Sequence, residues 1–128
     1  ADGIKRATDI KNAVVNRKTD DVPMTISGNP DAIAVYGLLH PFVAAHVAES
    51  EKTRQIAAET AKAMWGIFLS NRKVGYWDDL DAQRRTMNEI DDYLYDDVKG
   101  RNGINLTTAE MDEIIEKTMQ LARYRIQE

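Results

Sequence analysis

A chain of 128 residues that is 43% hydrophobic and 30% charged has the size and composition of one globular domain, which excludes wholesale disorder. It contains no cysteine, so disulfides and thiolate metal sites are excluded, which suits a cytoplasmic protein; no apolar run approaches the ~20 residues that cross a bilayer, so no membrane partner is expected. The net charge of −4 lacks the basic excess that holds a self-sufficient DNA-binding domain on phosphates.

The charge is uneven. Residues 1–71 carry eight Lys/Arg against eight Asp/Glu, and residues 72–128 carry nine against thirteen. The chain opens at Ala1 with no targeting pattern, and we read it as a C-terminal fragment of a larger protein that forms a single helical domain over 1–128.

The first expected helix runs from about Asp2 to Asn16. Ile4, Ala7, Ile10 and Val14 form its apolar face, with Lys5, Arg6, Lys11, Arg17 and Lys18 on or beyond its polar side, tempered by Asp2 and Asp9. Thr19 to Asn29 has loop composition. A second helix is predicted from Asn29 as N-cap with Pro30 in the first turn, where a missing N–H costs little. Pro41 should break or kink it near His40, because proline removes a helical donor and disfavours helical angles in the residue before it. Pro41 would then open a long third helix reaching Phe68, alanine- and charge-rich through its middle.

Ser70 to Asp79 reads as a loop closed by Asp78 or Asp79 as the next cap. Leu80, Met87, Ile90, Leu94 and Val98 recur at helical spacing with Gly100 as a stop. Thr107 to Glu110 is a capping box, with Leu106 and Met111 placed as its hydrophobic staple. Met111, Ile114, Ile115, Met119, Ala122 and Ile126 continue as one stripe. No segment alternates with period two, so the fold class is all-α: about five helices, ending in an antiparallel helical bundle.

Candidate chemistry is sparse. His40 and His46, the only histidines, are six apart and match no zinc spacing, so polar or core roles are their ordinary reading. Asp78, Asp79 and Asp81 suit a helix N-terminus; Asp91, Asp92, Asp96 and Asp97 read as a solvated face. The loop before Glu110 resembles a calcium hand but fails on register, since Val98 falls where an acidic ligand is required. No phosphate-binding glycine loop or nucleophile–base pair is present. Arg72, Lys73, Arg84, Arg85, Arg123 and Arg125 are the candidate phosphate-contacting rim, against the simpler reading of solvated cations beside acids such as Asp81 and Glu89. Of Tyr93 and Tyr95, two apart, one should face solvent or a partner.

About fifty residues carry a family resemblance: Trp77, Asp78, Asp81 and Gln83, then Met87, Ile90-Asp91-Asp92 and Leu94, then Gly103-Ile104 with Leu106. Glu110-Met111-Asp112, Ile114-Ile115-Glu116 and Ala122-Arg123 complete it. This stretch resembles the extreme C-terminus of the motor subunit of type I restriction enzymes, the superfamily-two helicase/translocase that carries the nuclease. The resemblance implies a helical appendage that docks the motor onto the methyltransferase and specificity subunits and helps line the DNA path, meeting DNA through the full complex. The parent would be an ATP-dependent type I site-specific deoxyribonuclease, with ATP and Mg bound elsewhere. This chain lacks the family's catalytic motifs, so no catalytic, cofactor or metal residue is expected in it. The rival readings are a stand-alone helical interaction module and a small metal-binding helical protein.

Overall fold

The computed structural model describes residues 22–127; the helix expected over Asp2–Asn16 lies outside them. A 3₁₀ turn at Met24–Ile26 leads into α1 (Pro30–Ala44), followed by α2 (Glu51–Asn71), a 3₁₀ turn at Tyr76–Asp78, α3 (Leu80–Tyr93), a π-helical segment (Leu94–Arg101) and α4 (Thr108–Arg125). There is no strand among the described residues. The fold is all-α.

Each helix begins where a short polar side chain can replace the missing intrahelical acceptor. The Asn29 side chain accepts from Ala32 N–H at 3.1 Å, Ser50 from Thr53 at 3.1 Å and Asp79 from Ala82 at 3.0 Å. At α4 the reciprocal box is complete, with Thr107 Oγ1 accepting from Glu110 N–H at 3.0 Å and Glu110 accepting from Thr107 N–H at 2.8 Å. Leu106 and Met111 flank it, both buried.

The first helix does not end at Pro41, nor does the next one begin there. Helix α1 runs through it to Ala44, and the next helix starts at Glu51 instead. Gly37, whose carbonyl loses its partner to Pro41, is solvent-exposed, as is Pro41 itself. Water can satisfy that carbonyl and glycine offers no side chain to crowd the ring, so the usual penalty of an internal proline is reduced. The true break, Ala45 to Ser50, coincides with a strong cap rather than with the proline.

Gly100 is not a stop either. The chain widens into π turns after Tyr93 and ends at Asn102, whose N–H bonds the Asp97 carbonyl at 3.0 Å. Ile90, Leu94 and Val98 are all fully buried, and the wider turn keeps these residues, four apart, on the core side. A Cβ on Gly100 would come within 3.3 Å of the Tyr95 carbonyl, so glycine answers to close backbone approach. The turn to positive φ (67°) falls at Gly103. Asp96 and Asp97 are therefore not at a helix end; Lys99 and Arg101 occupy the last turn, where cations suit the dipole.

The four helices pack in a ring, α1 on α2, α2 on α3, α3 on α4 and α4 back on α1. The α1–α2 interface is the most extensive and α3–α4 the least. The pairing of the last two helices expected from their stripes is present, but α4 leans more on α1. Two side-chain links fasten α4 there: His46 Nε2 with Glu110 Oε1 at 2.7 Å, near α4's start, and Arg125 with Asp31 at its end. The core is continuous through Leu39, Ala57, Met64, Phe68, Leu94 and Ile114, each large side chain contributing on the order of 1.5–3 kcal/mol.

Candidate functional site

One end of the ring gathers the chemistry-bearing residues. Helix α1 starts here, α2 finishes, α3 starts and α4 finishes. The junction is a chain of ring contacts, with Trp65 against Phe68 at 5.0 Å between centroids, Phe68 edge-on to Tyr76 at 5.3 Å, and Tyr76 edge-on to Trp77 at 4.7 Å. Such geometries set the electropositive edge of one ring on the face of another. Gly75, at φ 75°, reverses the chain so that both aromatics turn inward. The Tyr76 hydroxyl donates to Thr86 Oγ1 at 2.7 Å, and Thr86 donates to the Ala82 carbonyl at 2.9 Å. Burial pushes the Tyr76 phenol's pKa up, partly offset by its Thr86 bond. The Trp77 indole N–H donates to the Ile126 carbonyl at 2.6 Å. The turn before α3 is thereby joined to the residue that follows α4.

Several of the expected rim cations are tied to neighbours at this end. Lys73 pairs with Asp79 at 2.6 Å and Arg84 with Asp81 at 3.6 Å, while Arg125 pairs with Asp31. Arg85 Nε donates to Asn71 Oδ1 at 3.1 Å, and the Arg123 guanidinium lies 5.7 Å from the Trp77 ring centre. Arg72 caps α2 and is exposed. Three of these cations sit beside carboxylates. Hydrogen bonds from Lys73 and then from the Ala82 N–H hold the Asp79 carboxyl below the usual range.

Among these cations stand apolar side chains with no structural reason to face water: Leu69 (46% exposed), Val74 (93%), Leu80 (67%) and Tyr124 (77%). Leu80 corrects the expected stripe. The buried line of α3 is Ala82, Thr86 and Ile90, at i, i+4 and i+8; Leu80 falls off it and Met87 lies on its flank, half-buried. A threonine at the centre of that line disguises the face, because its hydroxyl is satisfied internally. Tyr95 is exposed and Tyr93 half-buried, as the two-residue spacing requires.

The histidines take polar roles, His40 against Glu49 at 3.0 Å and His46 against Glu110. Burial alone would raise the Glu49 pKa, but bonds from His40 and Arg54 outweigh it and the net direction is down. The Glu110 carboxyl is lowered first by the Thr107 N–H and then by His46. Sequence spacing offers no signal for either pair, because the contacts span nine and sixty-four positions. Among the described residues no three His, Asp or Glu side chains converge as a metal cage, and no helix is long and apolar enough to cross a membrane.

Along the α3–α4 flank runs a groove of about 620 Å³. Trp77, Met87, Ile115 and Met119 form its apolar lining; Arg84 and Arg123 stand at the end just described, Asp91 and Asp112 at the other. No family model, curated protein or solved structure matches this chain.

Proposed function

We propose that this chain is a non-catalytic mounting domain of a type I restriction motor subunit, joining the motor to its methyltransferase core beside the DNA path. The observation that carries this reading is the apolar-and-cationic end of the ring. Leu69, Val74, Leu80 and Tyr124 are exposed on the helix ends and the turn that also carry the six cations. Aromatic and arginine side chains around apolar anchors are the composition of protein contact surfaces. Lys73, Arg84 and Arg125 already have acid partners, which favours protein docking over phosphate as the main work of this end. DNA contact is then secondary, through Arg85 and Arg123. The family resemblance supplies the identity of the partner.

Sedimentation of the chain with the assembled modification and specificity subunits tests this. Co-sedimentation is expected, weakened at least tenfold by Val74→Asp. Independent sedimentation at micromolar concentration would overturn it. In a gel-shift at low salt the chain alone should bind DNA weakly and lose it as salt rises; tight, sequence-selective binding would contradict the assignment.

A further inference from the structure

The α3–α4 groove divides its charge end to end, in the order that a second copy of the same surface would match. We propose that two copies of this chain meet face to face across this groove, about a two-fold axis that crosses α3 and α4 at right angles. This does not depend on the restriction reading.

Each helix brings opposite charges to the two ends of the groove. On α4, Asp112 and Arg123 line it eleven residues apart, about three turns on one face. On α3, Arg84 and Asp91 line it seven apart, about two turns. The helices run in opposite directions, so both acids fall at one end and both arginines at the other. Among the described residues none of Asp91, Asp112 and Glu116 is paired with a cation. Arg84 holds only Asp81, at 3.6 Å with both side chains mostly exposed, and a surface pair of that kind is worth little and exchanges readily. Arg123 has the Trp77 ring rather than a carboxylate.

A two-fold axis lying in the interface at mid-groove sets each helix antiparallel on its own counterpart. Asp112 then faces Arg123 of the second copy, and Asp91 faces Arg84 of the second copy. Each contact occurs twice, as an isologous interface requires. In the same register Gln120 comes beside Glu116 of the second copy, an amide donor next to a carboxylate. An axis running along the helices would instead set Asp112 on Asp91 and Arg123 on Arg84, which like-charge repulsion disfavours.

The centre of the contact is apolar. Met87 and Met119 are half-buried at the groove rim, and Ile115 lies almost fully covered beneath them. Methionine is unbranched and flexible, so two from each copy can re-pack across the axis and fill space that stiffer side chains would leave empty. The surface is about 22 Å long and two helices wide, at about 8–10 Å per helix, which is at the small end of specific interfaces. The dimer should therefore exchange with monomer in the micromolar range, and its charged rim should make it weaker as salt rises.

Sedimentation equilibrium of the full chain, from low micromolar to near-millimolar, tests this. A reversible monomer–dimer equilibrium is expected, weakened at least tenfold by Met119→Asp with helical circular dichroism unchanged. Lys62→Glu, on the exposed face of α2, should leave it within twofold. Charge reversal is the decisive arm. Arg123→Glu alone and Asp112→Lys alone should each weaken self-association at least tenfold, because each dimer then holds two like-charged contacts. Mixed in equal amounts, the two variants should dimerise with one another, since every contact in the mixed dimer again joins opposite charges. A chain that stays monomeric throughout would overturn the proposal, as would growth beyond the dimer without limit. Single variants that associate like the parent, or a mixture no more associated than its separate components, would overturn it too.

Discussion

The two flanks of the ring solve the same packing problem differently. On α1–α2, small residues let the helices close up: Ala32 faces a neighbour carrying Ala57, Ala58 and Ala61, and Val35, Leu39, Met64 and Phe68 fill the remaining space, all fully buried. On α3–α4 the buried line is narrower, Ala82, Thr86 and Ile90 against Ile114, Ile115 and Thr118, and Met87 and Met119 remain half-buried at the rim of a groove. Alanine permits close approach, whereas methionine pairs at a seam leave an unfilled trough. A closed flank supplies stability, and an open one leaves apolar area for something else to cover.

The largest expected effects lie on the closed flank. Phe68→Ala removes the ring that touches Trp65, Tyr76 and Trp77 and should cost about 3–5 kcal/mol by urea melt. Ile90→Ala and Ile115→Ala, in the cores of α3 and α4, should each cost about 2–5 kcal/mol; an unchanged melt in either would remove the α3–α4 pairing. Met119→Ala, at the groove rim, should cost less than Ile115→Ala. Equal costs would erase the distinction between rim and core on α4.

Smaller effects test the capping. Thr107→Ala takes the acceptor from Glu110 N–H and should cost about 1 kcal/mol. Tyr76→Phe should cost about the same, because Thr86 keeps its bond to the Ala82 carbonyl. The pH dependence comes from Asp79, Glu110 and Glu49, all lowered in the fold. A lowered carboxyl stabilises the fold fully above its unfolded pKa, about 3.9 for Asp and 4.3 for Glu. That stability is lost as pH falls through the folded value. Glu110→Gln should accordingly lose less stability than the parent between pH 6 and pH 3, read by urea midpoints; a parallel loss would remove Glu110 from the acid response.

The caps were legible in the residues because each acts within three positions: Asn29, Asp79, and Thr107 with Glu110. Ser50 obeys the same rule but is hidden behind the attention Pro41 draws. Pro41 misleads because its cost depends on whether the Gly37 carbonyl reaches water, which only the assembled ring decides. Leu80 and Thr86 mislead together, since apolar character stands for burial only until a hydroxyl finds two partners inside. The six cations, chosen from local sequence, do meet at one end, but their carboxylate partners Asp31, Asp79 and Asp81 reduce what they offer to phosphate. The groove is invisible in either helix alone because it is a property of their separation.

The cationic end and the α3–α4 groove can be separated in a single comparison. Val74→Asp and Met119→Asp, both checked for unchanged helical circular dichroism, are sedimented with the methyltransferase assembly. The account predicts that Val74→Asp weakens association at least tenfold while Met119→Asp leaves it within twofold of the parent. Association lost in Met119→Asp and kept in Val74→Asp would contradict it.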